Sequence, residues 1–307
     1  MQTATTEFLA SRRDGTLLFT DEPNWMGSFL VDAGECLASN LSVMGKPLLV
    51  YNVEKILQKD SSISRILIPS GVSSACDILQ RRFPSLKIEE YGDLSYGQGR
   101  ETTRIPLNSA VLEKDGMHVI KPIVYPWDVL LAGLTIMGTE IRETSISENS
   151  SIAETTVVKG PCVIEDGVSI DDFNKIVGPA YFGKNSKIGT GNLMRNCAVG
   201  ENTSVGFGCE VARSILAGNN RISHHDVILD SMIGQNTWMG AFVGTTNLLL
   251  NNEPIKFKLG EKIVSTGLEH FGAVIGQDCA IGAGVIILPG RSIPKNSIIQ
   301  AGTVLSR

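Results

Sequence analysis

Ile164-Glu-Asp-Gly-Val-Ser-Ile170-Asp-Asp-Phe-Asn-Lys-Ile176-Val-Gly-Pro-Ala-Tyr-Phe182-Gly-Lys-Asn-Ser-Lys-Ile188 places one large apolar side chain at every sixth position. The rhythm starts at Ile146, Ile152 and Val158 and continues to Met194. It shifts by one residue at Val199, holds through Val205 and Val211, and is regular again at Ile275, Ile281, Ile287, Ile293 and Ile299. A period of six matches neither an amphipathic helix nor an alternating strand. It matches a parallel β-helix in which three short strands form one coil, each sending an aliphatic side chain into a shared core. Gly, Asn, Asp and Ser fill the intervals (Ile164-Glu-Asp-Gly, Val199-Gly-Glu-Asn, Ile275-Gly-Gln-Asp), and such residues tolerate the positive φ of sharp corners. Coils of about 18 residues over 144–305 would give roughly nine turns.

The first 130 residues follow other rules. Ser64-Arg-Ile-Leu-Ile-Pro-Ser70 reads as a buried strand, Ser74 to Phe83 as a helix and Leu86 to Tyr91 as a second strand. Lys46-Pro-Leu-Leu-Val-Tyr-Asn-Val-Glu-Lys-Ile-Leu57 reads as a helix, with Pro47 in its first turn and apolar residues at three- and four-residue steps. Helix, strand, helix, strand predicts an α/β layer with parallel strands. Residues 94–105 are polar and Gly-rich and read as a loop. Val124-Tyr-Pro-Trp-Asp-Val-Leu-Leu131 opens a helix leading to the first coil, with Asp128 near its amino end. The expected division is an α/β domain over 1–140 and a β-helix over 141–307.

A chain of 307 residues accommodates two domains. A net charge of −5 and a pI near 5.5 offer no general attraction to nucleic acid or acidic membranes. The cysteines Cys36, Cys76, Cys162, Cys197, Cys209 and Cys279 show no paired spacing and read as reduced thiols. The start, Met1-Gln-Thr-Ala-Thr-Thr-Glu, has no basic segment followed by an apolar run, and no stretch reaches membrane-span length. These features predict a cytoplasmic protein.

The sixfold pattern over roughly 144–305 resembles the hexapeptide repeat of the left-handed β-helix. Lys46-Pro-Leu-Leu-Val-Tyr-Asn-Val is similar to the helix that follows the phosphate loop of sugar-1-phosphate nucleotidylyltransferases. Tyr125-Pro-Trp-Asp-Val-Leu resembles the segment joining such domains to a carboxy-terminal β-helix. Together they resemble the two-domain nucleotidylyltransferase/acetyltransferases that make UDP-N-acetylglucosamine, closest to the archaeal branch. The nucleotidyl-transfer loop G-G-x-G-T-R-L has no counterpart in Asp32-Ala-Gly-Glu-Cys-Leu-Ala-Ser-Asn-Leu-Ser-Val-Met44. A Gly-rich turn and a basic side chain are what hold the nucleotide's phosphates there. The expected amino-terminal domain is therefore degenerate, a trimmed scaffold or a non-catalytic binder, and Mg2+ would matter only if it were active.

Arg221-Ile-Ser-His224-His-Asp-Val-Ile-Leu-Asp230-Ser-Met-Ile-Gly234-Gln-Asn236-Thr-Trp-Met-Gly240-Ala241 resembles the family's acetyltransferase motif without a gap. The resemblance implies that His224 is the general base and Asn247 the asparagine that orients the acetyl group. It further implies phosphate contacts from Arg221, Lys256, Lys258 and Arg213, and acetyl-CoA against Gly240, Ala241 and Ala273. Asn251-Asn-Glu-Pro-Ile-Lys256-Phe-Lys258-Leu-Gly260 looks like the loop that covers the sugar phosphate. Departures stand at Val227, where the family has tyrosine, at His225-Asp226, and at Phe242-Val243 in the G-A-G-T corner.

The chemistry suits these residue types. An ammonium must lose a proton before it attacks a thioester, and histidine accepts one near neutral pH. The oxyanion needs donors, from corner N–H groups or Asn247. The phosphate needs cations. Each residue also has a structural reading: His224 as a turn residue, Asn247 as a cap, Lys256 and Lys258 as a solvated face. His225 reads as structural, Trp238 as packing against a neighbouring chain, and His270 is open. His224-His225-Asp226 lacks further ligands for a metal site, so no metal is expected. The expected function is acetyl-CoA-dependent N-acetylation of an amino-sugar phosphate, glucosamine-1-phosphate favoured, by a homotrimer with acetyl-CoA between subunits. Two alternatives remain: a sugar-1-phosphate nucleotidylyltransferase, for which Arg12-Arg13-Asp-Gly15 would be a relic, and a non-catalytic regulatory subunit of one.

Overall fold

The computed structural model of the chain describes residues 16–20, 42–69, 73–91, 103–106, 109–114 and 117–306. The Arg12–Gly15 stretch, Cys36 and most of the Asp32–Met44 segment lie outside these. Among the described residues, one compact unit takes in Lys46–Asp128 and a second takes in Val43–Gly45 and everything from Val129 onward, the chain passing between them inside the helix Pro126–Glu140. Asp128 caps that helix, its Oδ2 accepting from the N–H groups of Val124 (3.1 Å) and Tyr125 (2.9 Å).

In the first unit, Leu48–Lys59 and Ser73–Arg82 are helices, and Arg65–Pro69 and Lys87–Tyr91 are parallel strands, as expected. The sheet continues through Thr16–Thr20 and Thr103–Pro106, all parallel. The latter overlaps the stretch read as a loop; its short, polar sequence lacks a strand signature, and its pairing partner is remote in the chain. An antiparallel hairpin, Ser109–Lys114 with Met117–Pro122, was also not legible. Buried Asn52 ties the first helix to this hairpin by accepting from the Val111 N–H at 2.8 Å.

The second unit is a left-handed parallel β-helix of three eight-stranded sheets. Cys162–Ile164 and Ala180–Phe182 belong to the first face, Ser169–Ile170 and Lys187–Ile188 to the second, and Lys175–Val177 and Leu193–Arg195 to the third. The sixfold residues fill the core: Ile164 and Ile281 are 2% and 1% exposed, and Ile176, Phe182, Met194 and Val199 are fully buried. At the prism's ends the burial is incomplete: Ile146 is 48% exposed, and Ile152, Val158 and Ile299 are half-buried. There are eight coils rather than nine. Met239 stacks directly on Ile281, so the residues between Thr246 and Phe271 leave the prism as an insertion.

The phase slip at Val199 is not single. Phe182 pairs with Val199, Val199 with Leu216, and Leu216 with Ile233, each step one residue shorter than the 18-residue step from Ile164 to Phe182. The missing residue is taken each time from the corner joining the third face to the first. Asn196, Arg213 and Asp230 stand at these tightened corners with φ of 47°, 48° and 46°. Such left-handed conformations strain a residue with a Cβ, Arg213 most, and are retained where the surroundings over-determine them.

Cys162, Cys197, Cys209 and Cys279 are buried and free, and Cys76 is free and half-buried. Among the described residues no helix is long and apolar enough to cross a membrane.

Candidate functional site

Residues that precede the inward anchors of the second face point outward. Lys187, Ser204, Arg221 and Trp238 follow one another in register in this way. They line an open groove of about 430 Å³ with His224 and Asp171. Strands stack about 4.8 Å apart, so Lys187 and Arg221, two coils apart, stand about 10 Å from each other with small Ser204 between them. A phosphate fits between two such cations. Lys187 was missed by the sequence reading, although its place just before Ile188 in the repeat announces it.

His224 lies at the exposed corner that ends this face. Its Nδ1 accepts from the Phe207 N–H at 3.1 Å. The neutral ring in this pose therefore carries its proton on Nε2 and is a donor. Turning the ring releases Nδ1 as an acceptor and leaves the exposed Phe207 N–H to water, at a cost of about 1 kcal/mol. Ala241 follows in the next coil, where the Phe242 N–H bonds the His224 carbonyl at 2.9 Å. Gly240 is buried, and a Cβ there would meet the Ala283 nitrogen at 2.7 Å, so the close approach of the next coil requires glycine. His225, at φ 57°, lies between Phe207 (4.5 Å between ring centroids) and Phe242 (5.1 Å, stacked). This is a structural position, as expected.

Asp226 turns inward, away from both histidines, and is fully buried. Its Oδ1 accepts from the Val243 N–H at 2.7 Å and Oδ2 from the Ser223 N–H at 3.1 Å. Burial outweighs these bonds and pushes the carboxyl up to about 7. A raised folded-state value means stability is greatest at low pH and falls as pH rises from about 4 through 7. Asn174 and Asn192 occupy the same inward column one coil apart, each accepting a backbone N–H and donating Nδ2 to the carbonyl three residues earlier. Asp226→Asn can make the same bonds, and the Ser223 N–H keeps the Met239 carbonyl. The variant is expected to melt higher than wild type at pH 8, with the gain shrinking toward pH 5. Each kcal/mol is about 2–4 °C in a domain of this size. Equal melting at both pH values would contradict the charged, buried carboxylate.

The shortened corners stack Arg213, Asp230 and Asn247 seventeen residues apart. Arg213 grips Asp230 with Nε (2.6 Å) and Nη2 (2.7 Å). That pair raises the arginine's pKa further, and it makes Arg213 a partner of Asp230 rather than a free phosphate ligand. Asn247 donates Nδ2 to Asp230 Oδ2 at 2.5 Å, and the same nitrogen is 3.4 Å from His270 Nδ1. With its amide nitrogen so engaged, Asn247 offers only the acceptor Oδ1 outward. It suits a substrate N–H, not an oxyanion. This corner and His224 lie at opposite ends of the strand Val227–Leu229, so one chain does not bring Asn247 to the histidine.

Lys256 and Lys258 sit on the inserted hairpin, Lys256–Leu259 with Lys262–Ser265, and line a cavity that shares no residue with the groove. Ala273, expected against acetyl-CoA, is fully buried in the prism core and its N–H bonds Ser231 Oγ at 2.9 Å. Its inward place in the strand Ala273–Ile275 removes the side chain from that role.

No protein-family model matches the chain. A bifunctional protein GlmU of Methanococcus aeolicus is 32% identical over 182 residues, 59% of this chain and 43% of that protein. A bifunctional sugar-1-phosphate nucleotidylyltransferase/acetyltransferase of Sulfurisphaera tokodaii is 27% identical over 258 residues, 83% of this chain and 63% of that protein. The chain thus spans under two thirds of either relative. Among solved structures, a mutant perosamine N-acetyltransferase from Caulobacter crescentus in complex with CoA and GDP-perosamine covers 93% of both chains at 12% identity, with a TM-score of 0.22. The chain is a relative of the archaeal bifunctional sugar-1-phosphate nucleotidylyltransferase/acetyltransferases.

Proposed function

We propose that the protein transfers the acetyl group of acetyl-CoA to the amine of an amino-sugar phosphate, with glucosamine-1-phosphate the favoured acceptor. The observation that carries this reading is one groove holding an exposed histidine, His224, beside the outward cations Arg221 and Lys187. Homology to bifunctional nucleotidylyltransferase/acetyltransferases supports it.

Arg221 and Lys187 hold the acceptor's phosphate and so fix the amine near the corner. His224 takes a proton from the ammonium. The freed amine attacks the thioester carbonyl, the C–N bond forms, and the C–S bond breaks. The imidazolium then returns its proton to the departing thiolate, and the nitrogen's second proton leaves to solvent as the amide forms, so charge and protons balance. At this corner the N–H groups of Gly240 and Phe242 bond the Ile281 and His224 carbonyls, so the Ala241 N–H is the donor suited to the oxyanion.

Asn247 joins this chemistry from a neighbouring protomer. A homotrimer packs the exposed aromatic side chains of Trp238 and Phe242, 53% and 61% exposed, between prisms and sets an Asn247 corner against another chain's His224. Light scattering at micromolar concentration is expected to return three times the chain mass of 33.0 kDa. A monomer would contradict the shared site.

The reaction is tested by free thiol release from acetyl-CoA across several amino-sugar phosphates. Acceptor-dependent release is expected, fastest with glucosamine-1-phosphate. Absence of release with every acceptor would reject the reading.

A further inference from the structure

His224 and Ala241 occupy equivalent places in adjacent coils, since Arg221 pairs with Trp238 and Ile222 with Met239 just before them. Strand stacking sets their backbones about 4.8 Å apart. Acetyl transfer needs both corners at one carbonyl group. The amine that His224 deprotonates attacks its carbon, and the Ala241 N–H takes up its oxygen. The separation and tilt of the two corners therefore enter the rate directly.

A column of buried side chains runs along the core side of these corners: Asn174, Asn192, Cys209, Asp226 and Val243. Each precedes the first residue of a third-face strand, and those strands are in register. Asn174 and Asn192 each pass one bond along the column, Oδ1 accepting the next member's N–H at 2.7 Å. Each also closes its own corner by donating Nδ2 to a carbonyl three residues earlier. Asp226 differs from them by accepting twice. Oδ2 takes the Ser223 N–H at 3.1 Å, immediately before His224, and Oδ1 takes the Val243 N–H at 2.7 Å, two residues past Ala241. One carboxylate thus spans the two corners that carry the chemistry. On the outer side, His225 stacks on Phe242. The dipeptides His225-Asp226 and Phe242-Val243, both departures from the resembling motif, therefore meet each other residue for residue across adjacent coils.

We propose that Asp226 is a positioning residue for acetyl transfer, its carboxylate holding the His224 corner and the Ala241 corner at the separation and tilt that the tetrahedral intermediate requires. This role rests on the acetyl-transfer reading and adds to it a residue that touches neither substrate. Its signature is a fall in kcat with little change in KM, because Lys187 and Arg221 stand on the outer side of the second face and keep their hold on the acceptor.

The test is initial-rate kinetics of thiol release, with melting curves, on the full chain and three variants, using the acceptor that wild type uses fastest. Asp226→Val and Asp226→Cys install residues that the same column already holds at Val243 and Cys209, so the fold is retained, and both strip the Val243 N–H of its acceptor. Each is expected to lower kcat about tenfold to a hundredfold, the cost of misplacing reacting groups by up to about 1 Å, with KM changed by no more than about twofold. Asp226→Asn reaches the Val243 N–H with Oδ1 and the Ser223 carbonyl with Nδ2, as Asn192 does in its own coil, and is expected to restore most of the rate. Wild-type kcat in the valine and cysteine variants overturns the proposal, as does a loss carried wholly by KM. An equal loss in Asp226→Asn makes the charge rather than the bonds decisive and overturns it too. If wild type releases no thiol with any acceptor, the acetyl-transfer reading fails first and this role falls with it.

Discussion

His224→Ala is expected to slow acetyl transfer about a hundred- to ten-thousand-fold, the usual cost of losing a general base, while leaving thermal unfolding unchanged. The two halves of that expectation have different origins. The ring is exposed, and its recorded hydrogen bond is to the Phe207 N–H, itself at an exposed corner where water replaces it. Little packing is lost. The rate falls because His224 is the side chain of the groove assigned to take the ammonium proton. His225→Ala is the matched control. It removes a ring stacked on Phe242 and set edge-on to Phe207, so it perturbs the corner's packing but not the base. Full thiol release in His224→Ala would remove this histidine from the chemistry.

Ile281→Asp is expected to destroy the folded β-helix around its site. Ile281 is 1% exposed and stacks between Met239 and Ile299 in adjacent coils. A carboxylate there has no partner, and burying a charge unpaired costs several kcal/mol even after its pKa shifts. Each coil is stabilised only by its neighbours, so the damage spreads along the stack. Ile298→Asp, one residue before the next anchor and 80% exposed, should change stability by no more than about 0.5 kcal/mol. Far-ultraviolet circular dichroism and limited proteolysis distinguish the two. Wild-type resistance in Ile281→Asp would show that the inward register is wrong.

The prism was legible because each coil repeats the same demand. One aliphatic side chain must enter the core at every sixth residue, and one residue at each corner must accept positive φ. The insertion was legible as an interruption of that rhythm, but its effect on the count was not, and one coil was overestimated. The repeated shortening at Asn196, Arg213 and Asp230 was harder to read, since a slip of one residue is visible only once anchors on both sides are assigned. That error carried a chemical consequence. Without the seventeen-residue stacking, Arg213 looked like a free cation, whereas it lies on Asp230. Asp226 was hidden for a related reason: a carboxylate beside two histidines suggests a ligand cluster until the register turns it into the core. In the first unit, the polar strand Thr103–Pro106 owes its state to pairing with Thr16–Thr20, which local sequence does not announce.

The most direct test of the central claim is the product itself. The protein incubated with acetyl-CoA and glucosamine-1-phosphate, and analysed by mass spectrometry before and after mild alkali, reports which bond has formed. The account predicts an acetylated sugar phosphate that survives alkali, as an amide does, and that is not formed by His224→Ala. An alkali-labile ester, or thiol release without any acetylated sugar, would contradict acetyl transfer to the amine.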